Sequence, residues 1–547
     1  MIGFGPVRGR SSANLQVLST DVVAAKPAAL DPISTSIVYR PTVRRLMRIA
    51  TPLAFGFGVV LRLLQYVLNR SLWLDEAYVT LNITHRSFAG LLRPLEFHQG
   101  APIGFLLLEK WAVDLLGAGE YSLRLLPLLA SFASLLLFYK LVKSVLSPLA
   151  GIIALSLFAI CPSLVYYSSE VKQYSSDVAV ALLIYFLAIR GTQAEWRLGQ
   201  SALLGLVGAI AVWMSHPSAF VLAAVGSVFI PIFIAKKDWG KLTRLSLALL
   251  MWAASFGICY LVSFRFLARD TELLAYWRDN FMPLPPRSVS DLKWFVDSLF
   301  GFFTHSVGMQ FAAVTVFAFL VGSAALYIRN RERLALLLVP WLLTLLASGL
   351  HAYPFQGRLT LFLVPSALLL VATGVEEVRR ATAHHFPLIA WILIVLLFLD
   401  PTVYTLHHFA KPHVEVDHPG VMPPEEIKPV IAYIRVHRRP GDLIYLFSDS
   451  QPAFEYYSEL YRLYLPNVLV STTSGDNARD YVADLDRLRG KRVWVVISHI
   501  HGDGKAESAY IRFYLDTVGN CTDSFQSPGA VTYVYDLTHT SAVSNAR

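Results

Sequence analysis

The chain of 547 residues is 55% hydrophobic and only 16% charged, with a mean hydropathy of +0.51. A soluble protein of this size needs a more strongly charged surface, so the composition excludes that class and indicates a protein whose main solvent is lipid. The net charge of +9 does not indicate a nucleic-acid partner, because the basic residues cluster at the ends of apolar runs, where they orient membrane spans.

The first 40 residues are small, polar and without pattern, which predicts a disordered cytoplasmic tail over residues 1–40. Eleven apolar runs follow, each close to the length that a helix needs to cross about 30 Å of hydrocarbon. They lie near 48–68, 120–142, 147–166, 174–191, 199–216, 218–235, 242–264, 306–328, 334–350, 359–375 and 386–405. The sequence therefore predicts a polytopic α-helical membrane domain over residues 41–408.

Basic residues stand before the first run and then in every second loop, as in Lys236–Lys237 and Arg379–Arg380. Since positive charge is retained inside, we expect a cytoplasmic N-terminus and an extracytoplasmic C-terminus in a plasma membrane, such as a bacterial inner membrane. The apolar stretch 102–117 would reverse this pattern if it were a span, and it contains three charged residues. It is predicted to be an interfacial helix, which makes 69–119 one long outer loop. A second outer segment lies at about 265–305.

The composition becomes that of a soluble protein after Asp400-Pro401. Strands are predicted at 442–447, 492–498 and 530–536, with amphipathic helices between them at 424–437, 452–463 and 477–489. This alternation predicts an extracytoplasmic α/β domain over 409–547. No glycine-rich phosphate loop of a nucleotide-binding type occurs in it.

An acidic pair, Asp75 and Glu76, follows the first span in the sequence SLWLDEAY. Adjacent carboxylates repel, so one can serve as a base or metal ligand while a cation holds the other. The simpler alternative is a helix N-terminus stabilised by two solvated acids. The same predicted membrane face collects further charged and aromatic residues, namely His98, Arg124, Glu170, Lys172, Tyr174 and Arg358. Taken singly, each cation there also fits a snorkelling or topology residue.

These segments together resemble the membrane-embedded GT-C glycosyltransferases, especially the branch of protein O-mannosyltransferases and lipid A aminoarabinose transferases (glycosyltransferase family 39-like). The resemblance covers roughly residues 45–405 and is carried by the Asp-Glu pair, the arginine in YSLRLLP and the segment EVKQY. It implies that Asp75 is the base on the acceptor, with Glu76 as its neighbour in the same motif. It also implies that Arg124, Lys172 and Arg358 receive the donor phosphate, and that His98, Glu170 and Tyr174 are candidates for the substrate pocket.

Metal binding is left open by one departure from the family pattern. Relatives often carry an acidic or His-Pro-Pro motif where this chain has His98-Gln99-Gly100-Ala101-Pro102, and in some members that position helps to hold a divalent metal. His98 is thus a weak candidate ligand, and no cofactor is firmly predicted. The three cysteines, Cys161, Cys259 and Cys521, form no metal-binding spacing.

The predicted function is transfer of a sugar from a polyprenyl-phosphate donor to an acceptor hydroxyl, with inversion, at the extracytoplasmic face. The acceptor class stays open among lipid, polysaccharide and protein. One rival function is a transporter or flippase for a lipid-linked glycan, which would need polar residues along the spans and not at one face. Another is a non-catalytic polysaccharide-assembly protein, in which Asp75 would be dispensable.

Overall fold

The computed structural model describes residues 41–193, 198–412, 414, 418–471, 478–500 and 504–538, so the predicted tail 1–40 lies outside the described residues. The helices up to Ala410 are, in chain order, α1 (Pro41–Val67), α2 (Leu74–His85), α3 (Ile103–Leu116), α4 (Glu120–Leu123), α5 (Leu125–Val145), α6 (Pro148–Ile160), α7 (Pro162–Tyr166), α8 (Tyr174–Gln193), α9 (Leu198–Met214), α10 (Ser218–Ala235), α11 (Trp239–Cys259), α12 (Arg265–Leu267), α13 (Thr271–Tyr276), α14 (Val289–Gly301), α15 (Ala312–Arg329), α16 (Arg331–Gly349), α17 (Val364–Thr382) and α18 (Pro387–Ala410). Short 3-10 helices at Gly90–Leu92, Tyr167–Ser169, Arg278–Asn280 and Gly357–Leu363, and π-helical turns at Tyr260–Phe264 and Phe302–Ser306, join or extend them.

Nine helices within these described ranges are long and apolar enough to cross a membrane. They are Arg48–Val67, Glu120–Val145, Tyr174–Gly191, Ser218–Ala235, Trp239–Leu267, Ala312–Arg329, Arg331–Gly349, Gly357–Thr382 and Pro387–Ala410. The helices Pro148–Ile160 and Pro162–Ser169 meet at a bend of 53° and give a tenth span if the pair is counted as one. Pro162 at the bend lacks the N–H that would continue the first helix. The remaining predicted run corresponds to α9, whose 17 residues reach only about 25 Å. The prediction of a polytopic α-helical membrane protein is confirmed.

Helix α3 occupies the stretch that the charge pattern excluded from the spans. It has 14 residues, too few for the roughly 20 that a spanning helix requires. Its outer face exposes Trp111 and Leu115, whereas Glu109 on the inner face is fully buried. An apolar face of this kind on a short helix is typical of a segment that lies along the membrane surface.

Helices α15 and α17 approach each other more closely than any side chain larger than hydrogen would allow. A Cβ atom on Gly322 would collide with the carbonyl oxygen of Leu370, and one on Gly374 would collide with that of Ala318. Small residues at such crossings let two backbones pack directly against each other in a membrane. The span that contains α17 is also the most buried one, at 94% of its apolar window. The segment Gly357–Leu363, which begins this span, is therefore fixed by a helix that is packed tightly among its neighbours.

The C-terminal part is a mixed sheet of five strands in the order β2-β1-β3-β5-β4. The strands are β1 (Leu443–Leu446), β2 (Val468–Val470), β3 (Arg492–Ser498), β4 (Asn520–Ser527) and β5 (Ala530–Asp536), and the helices are α19 (Ile427–His437), α20 (Gln451–Leu460), α21 (Ala478–Asp486) and α22 (Gly504–Val518). Strand β1 is parallel to β2 and β3, whereas β5 is antiparallel to β3 and β4. Successive residues of β3 point to opposite faces: Trp494 joins the core under α19 and α20, and Val495 joins the core under α21 and α22.

The three predicted strands and the three predicted helices are all present, whereas β2 and β4 were not predicted. Strand β2 has only three residues, and β4 reads NCTDSFQS, a largely polar edge strand without an apolar run. Helix α22 was also not identified from the sequence.

The sheet domain packs on the first outer loop through one continuous apolar core. Leu72 and Phe105 of the loop share this core with Ile431 and Tyr457 of the sheet domain. Polar contacts surround it: Ser71 Oγ donates to Glu426 at 2.8 Å, and the amide of Leu72 donates to the hydroxyl of Tyr457 at 2.7 Å. The start of α2 is thus enclosed between membrane helices and the C-terminal domain.

Candidate active site

The site is centred on Asp75, in the first turn of α2, where the chain turns back from the end of the first span. Two cations hold its carboxylate: Lys172 Nζ lies 2.9 Å from Oδ1, and Arg358 Nη2 lies 2.9 Å from Oδ2. Lys172 comes from the connection between the Tyr167–Ser169 turn and α8, and Arg358 from the turn that begins the α17 span. Three segments that are distant in sequence therefore meet at one carboxylate.

The cluster has a net positive charge and is largely shielded from water. The side chains of Asp75, Lys172 and Arg358 are 16%, 5% and 14% exposed. Burial raises the pKa of Asp75, but the attraction of Lys172 and Arg358 outweighs burial, so the pKa lies below its usual value. Burial lowers the pKa of Lys172, and the attraction of Asp75 restores only part of this loss. Two cations that share one carboxylate form a site that can accept a second anion.

Aromatic rings form the wall around these charges. The guanidinium of Arg358 lies 5.2 Å from the ring centre of Trp73 and 5.9 Å from that of Trp277, distances at which a cation is attracted to a ring. Tyr174, one of the predicted pocket residues, is buried and packs edge-on against Tyr167 at 5.1 Å. Such rings exclude water and offer flat faces to a sugar or isoprenoid.

Glu76 and Arg124 form a second ion pair that does not open to the site. Arg124 Nε and Nη2 donate to the two carboxylate oxygens at 3.0 and 2.7 Å, and each side chain is 1% exposed. The amide of Val171 donates to Glu76 at 2.8 Å, and Arg124 Nη1 donates to the carbonyl of Arg70 at 2.7 Å. This bidentate pair ties α2 to the start of α5 and to the segment that carries Lys172.

The position of Arg124 differs from the expectation that it contacts the donor phosphate. All three of its guanidinium nitrogens already donate to groups of the protein, and the pair with Glu76 leaves it no exposed surface. The sequence signal for both roles is the same, because an arginine at the predicted membrane face can bind either a substrate phosphate or a carboxylate of the protein. Only the fold shows that Glu76 is its partner.

Glu170 and His98 differ sharply in their surroundings. Glu170 is fully buried beside Tyr166, and burial together with the nearby Glu76 raises its pKa to about 8. His98 is largely exposed, and its Nδ1 lies 2.9 Å from Asp270 of the second outer segment. His98 therefore joins the two outer segments, which sequence reasoning did not predict.

Two residues within the sequence motifs, Gln99 and Trp73, also contribute to the site, although no role was predicted for them. Gln99 accepts a hydrogen bond from Lys172 Nζ at 2.7 Å through Oε1, and so orients the ammonium toward Asp75. Trp73 stands two residues before Asp75 and faces Arg358. Trp277, in the aromatic-rich second outer segment, completes the same wall.

A group of three potential metal ligands lies elsewhere, where the end of α2 meets α20. His85, Glu455 and Glu459 place one ligand atom each within 4.8 Å of one another. Within the described residues this is the one group of at least three such side chains, and it includes neither Asp75 nor His98. His85 Nε2 is already 2.8 Å from Glu459 Oε2.

Similarity to known proteins is confined to the fold. No protein-family model and no curated protein sequence matches the chain. Crystal structures of ArnT from Cupriavidus metallidurans match with a TM-score of 0.52 and 12% identity, covering 90% of this chain and 98% of ArnT in the apo state, and 88% and 98% when ArnT is bound to undecaprenyl phosphate. The oligosaccharyltransferase of Archaeoglobus fulgidus in complex with Zn and sulfate matches with a TM-score of 0.51 and 13% identity, over 88% of this chain and 73% of that chain. ArnT, a lipid A aminoarabinose transferase, and this oligosaccharyltransferase are both GT-C glycosyltransferases. The chain has the GT-C fold, as its sequence resemblance predicted.

Proposed function

We propose that the protein transfers a sugar from a polyprenyl-phosphate donor to an acceptor hydroxyl, with inversion at the anomeric carbon. The observation that carries this proposal is the shielded cluster in which Asp75 lies between Lys172 and Arg358, each at 2.9 Å. In a chain with the GT-C fold, this cluster combines a carboxylate that can act as a base with two cations that suit a phosphate. The binding of undecaprenyl phosphate by ArnT, a protein of the same fold, supports this class of donor.

The two cations stabilise the leaving group. When the bond between the anomeric carbon and the phosphate oxygen breaks, the bonding electrons remain on the oxygen and the polyprenyl phosphate gains negative charge. A guanidinium and an ammonium in a water-poor site stabilise that charge more in the transition state than in the bound donor. Gln99, which accepts from Lys172 at 2.7 Å, and the ring of Trp73 beside Arg358 keep the cations in place.

Asp75 takes the proton of the acceptor hydroxyl as its oxygen attacks the anomeric carbon. With both cations on its carboxylate, the pKa of Asp75 is low and the group is a weak base. A donor phosphate that draws Lys172 and Arg358 toward itself removes part of this stabilisation, so the pKa of Asp75 rises and its oxygen becomes free to accept a proton. Binding of the donor would thereby activate the base, which favours donor binding before acceptor deprotonation.

Glu76 and Arg124 position these groups and do not react. Their buried bidentate pair fixes the residue next to Asp75, and Val171, the neighbour of Lys172, is bound to the same carboxylate. In our proposal Arg124 therefore does not contact the donor phosphate, and Glu76 is a positioning residue. Glu170 is fully buried close to Glu76.

The acceptor class remains a lipid, a polysaccharide or a protein, and we place the site at the extracytoplasmic face. The test is an assay of the purified full-length protein in lipid nanodiscs with radiolabelled polyprenyl-phosphate sugars and one acceptor of each class. Transfer of label to one acceptor by the wild type, absent in Asp75→Asn, is the expected result. Movement of labelled donor across a vesicle membrane without transfer would instead favour the transporter function.

A further inference from the structure

Helix α2, which carries Asp75, begins without a cap from its own segment. The first amides of a helix have no intrahelical acceptor and need partners from elsewhere. Trp73 stands at the N-cap position and has no side-chain oxygen or cap hydrogen bond. The missing acceptor comes from a residue 351 positions away: the amide of Leu74 donates to Glu425 Oε2 at 3.2 Å.

The neighbouring residue of the sheet domain binds the segment just before α2. Glu426 accepts from the amide of Ser71 at 3.1 Å and from its hydroxyl at 2.8 Å. Two consecutive carboxylates just before α19 therefore bind the chain on both sides of Leu72. Anionic groups at this end of a helix also interact favourably with its dipole.

The other oxygen of Glu425 is held by a histidine of the sheet domain. His499 Nδ1, just after β3, lies 2.6 Å from Glu425 Oε1, and the Glu425 side chain is only 3% exposed. Burial lowers the pKa of His499, but Glu425 together with Asp449 and Asp75 raises it to a value above the usual one. The contact with His499 orients the Glu425 carboxylate, whose other oxygen accepts from the amide of Leu74.

We infer that Glu425, oriented by His499, is a positioning residue for the reaction, supplied by the C-terminal domain to hold the first turn of α2 and with it the carboxylate of Asp75. Leu74, whose amide Glu425 binds, is the residue directly before Asp75. A displacement of about 1 Å at a reacting group can cost on the order of a hundredfold in rate. The sheet domain is by this inference part of the catalytic unit. The inference rests on the proposed role of Asp75 as the base.

Three variants of the full-length protein test this inference. Glu425→Ala removes the acceptor, whereas Glu425→Gln keeps an amide oxygen in the same place. Asp486→Asn is the matched control, because Asp486 lies on α21, on the other face of the sheet, where it pairs with Arg489 at 2.7 Å. Each variant is compared by steady-state kinetics for donor and acceptor, and by hydrogen exchange of the peptide that covers residues 72–80.

We expect Glu425→Ala to lower kcat at least tenfold with the donor KM unchanged within twofold, and to speed exchange in residues 72–80. Glu425→Gln should restore the protection and most of the rate, and Asp486→Asn should match the wild type in both. Unchanged kinetics and exchange in Glu425→Ala would overturn the inference. So would faster exchange across the whole sheet domain with no rescue by Glu425→Gln, since that pattern indicates general loss of structure. If the wild-type protein transfers no sugar, the proposed function is refuted. The hydrogen-exchange data would still test whether Glu425 caps the start of α2.

Discussion

Replacement of Asp75 by asparagine has two opposite consequences if the carboxylate is both the base and the resting partner of the two cations. Asparagine retains the size and hydrogen-bonding capacity of the side chain, but it has no charge and cannot accept the acceptor's proton at neutral pH. Loss of a general base costs about 10²–10⁴-fold in the chemical step. We therefore expect kcat to fall by that factor.

Donor affinity should change in the other direction. The carboxylate contacts both Lys172 and Arg358 at 2.9 Å, so a donor phosphate must compete with it for both cations. Single exposed ion pairs contribute about 0.2–1 kcal/mol, and two shielded ones together should contribute on the order of 1 kcal/mol. Since 1.4 kcal/mol corresponds to a factor of ten, removal of the competitor should tighten donor binding by roughly fivefold.

The measurement pairs single-turnover transfer with equilibrium binding of a polyprenyl phosphate to the protein in nanodiscs. Asp114→Asn is the matched control, because Asp114 is a half-exposed carboxylate of the same outer loop that pairs with Lys110 at 3.1 Å away from the site. It should leave both quantities unchanged. Full transfer by folded Asp75→Asn would refute its role as the base. Weaker donor binding by this variant would refute the competition between carboxylate and phosphate.

Four further predictions follow from the same geometry. Lys172→Ala and Arg358→Ala should each lower turnover by about two orders of magnitude, if each cation contributes roughly 3 kcal/mol to the transition state; wild-type kinetics in both would remove them from the site. The pKa of Lys172 is lowered, so activity should fall as the pH rises through that lowered value. Lys172→Arg should shift this alkaline limb of the pH-rate profile to higher pH, since a guanidinium stays protonated. If the limb does not shift, the loss of activity belongs to the titration of another group. Glu76→Gln leaves Arg124 as an unpaired buried charge, a change that costs about 3–5 kcal/mol. The midpoint of thermal unfolding of this variant should therefore drop by several degrees, and an unchanged midpoint would contradict the positioning role of Glu76. Cysteine labelling should find positions near 85 and 450 accessible from outside and positions near 238 and 332 from inside; labelling of 85 and 332 from one side would refute the predicted orientation.

The spans and the strands could be predicted because their signals are local. An apolar run of spanning length indicates a membrane helix, and the short apolar run rich in valine in RVWVVIS indicates the buried strand β3. The two elements that escaped prediction in the sheet, β2 and β4, have a three-residue length and a polar sequence. Their pairing with β1 and β5 supplies the strand conformation that their own residues do not indicate.

Part of the candidate site could be predicted from the sequence, but the partners of its residues could not. The predicted members Asp75, Lys172 and Arg358 lie in contact. The sequence gives no means of deciding whether Arg124 faces a phosphate or Glu76, because both partners suit a guanidinium and lie at the same predicted membrane face. The link from His98 to Asp270 spans 172 positions, and that from Glu425 to Leu74 spans 351. Contacts over such separations depend on how the helices pack and not on any pattern along the chain.

The shared core of the first outer loop and the sheet domain has a consequence for biogenesis. Ser71 and Glu426, which bind each other across this contact, are 355 residues apart. At a synthesis rate of about 5–20 residues per second, roughly 20 to 70 seconds separate their emergence from the ribosome. During that interval the apolar face of the loop, with Leu72 and Phe105, has no sheet domain to cover it. Maturation of the protein therefore has to wait for its last domain, and a ribosome that stalls before residue 427 would leave an inserted membrane part with an exposed and aggregation-prone loop.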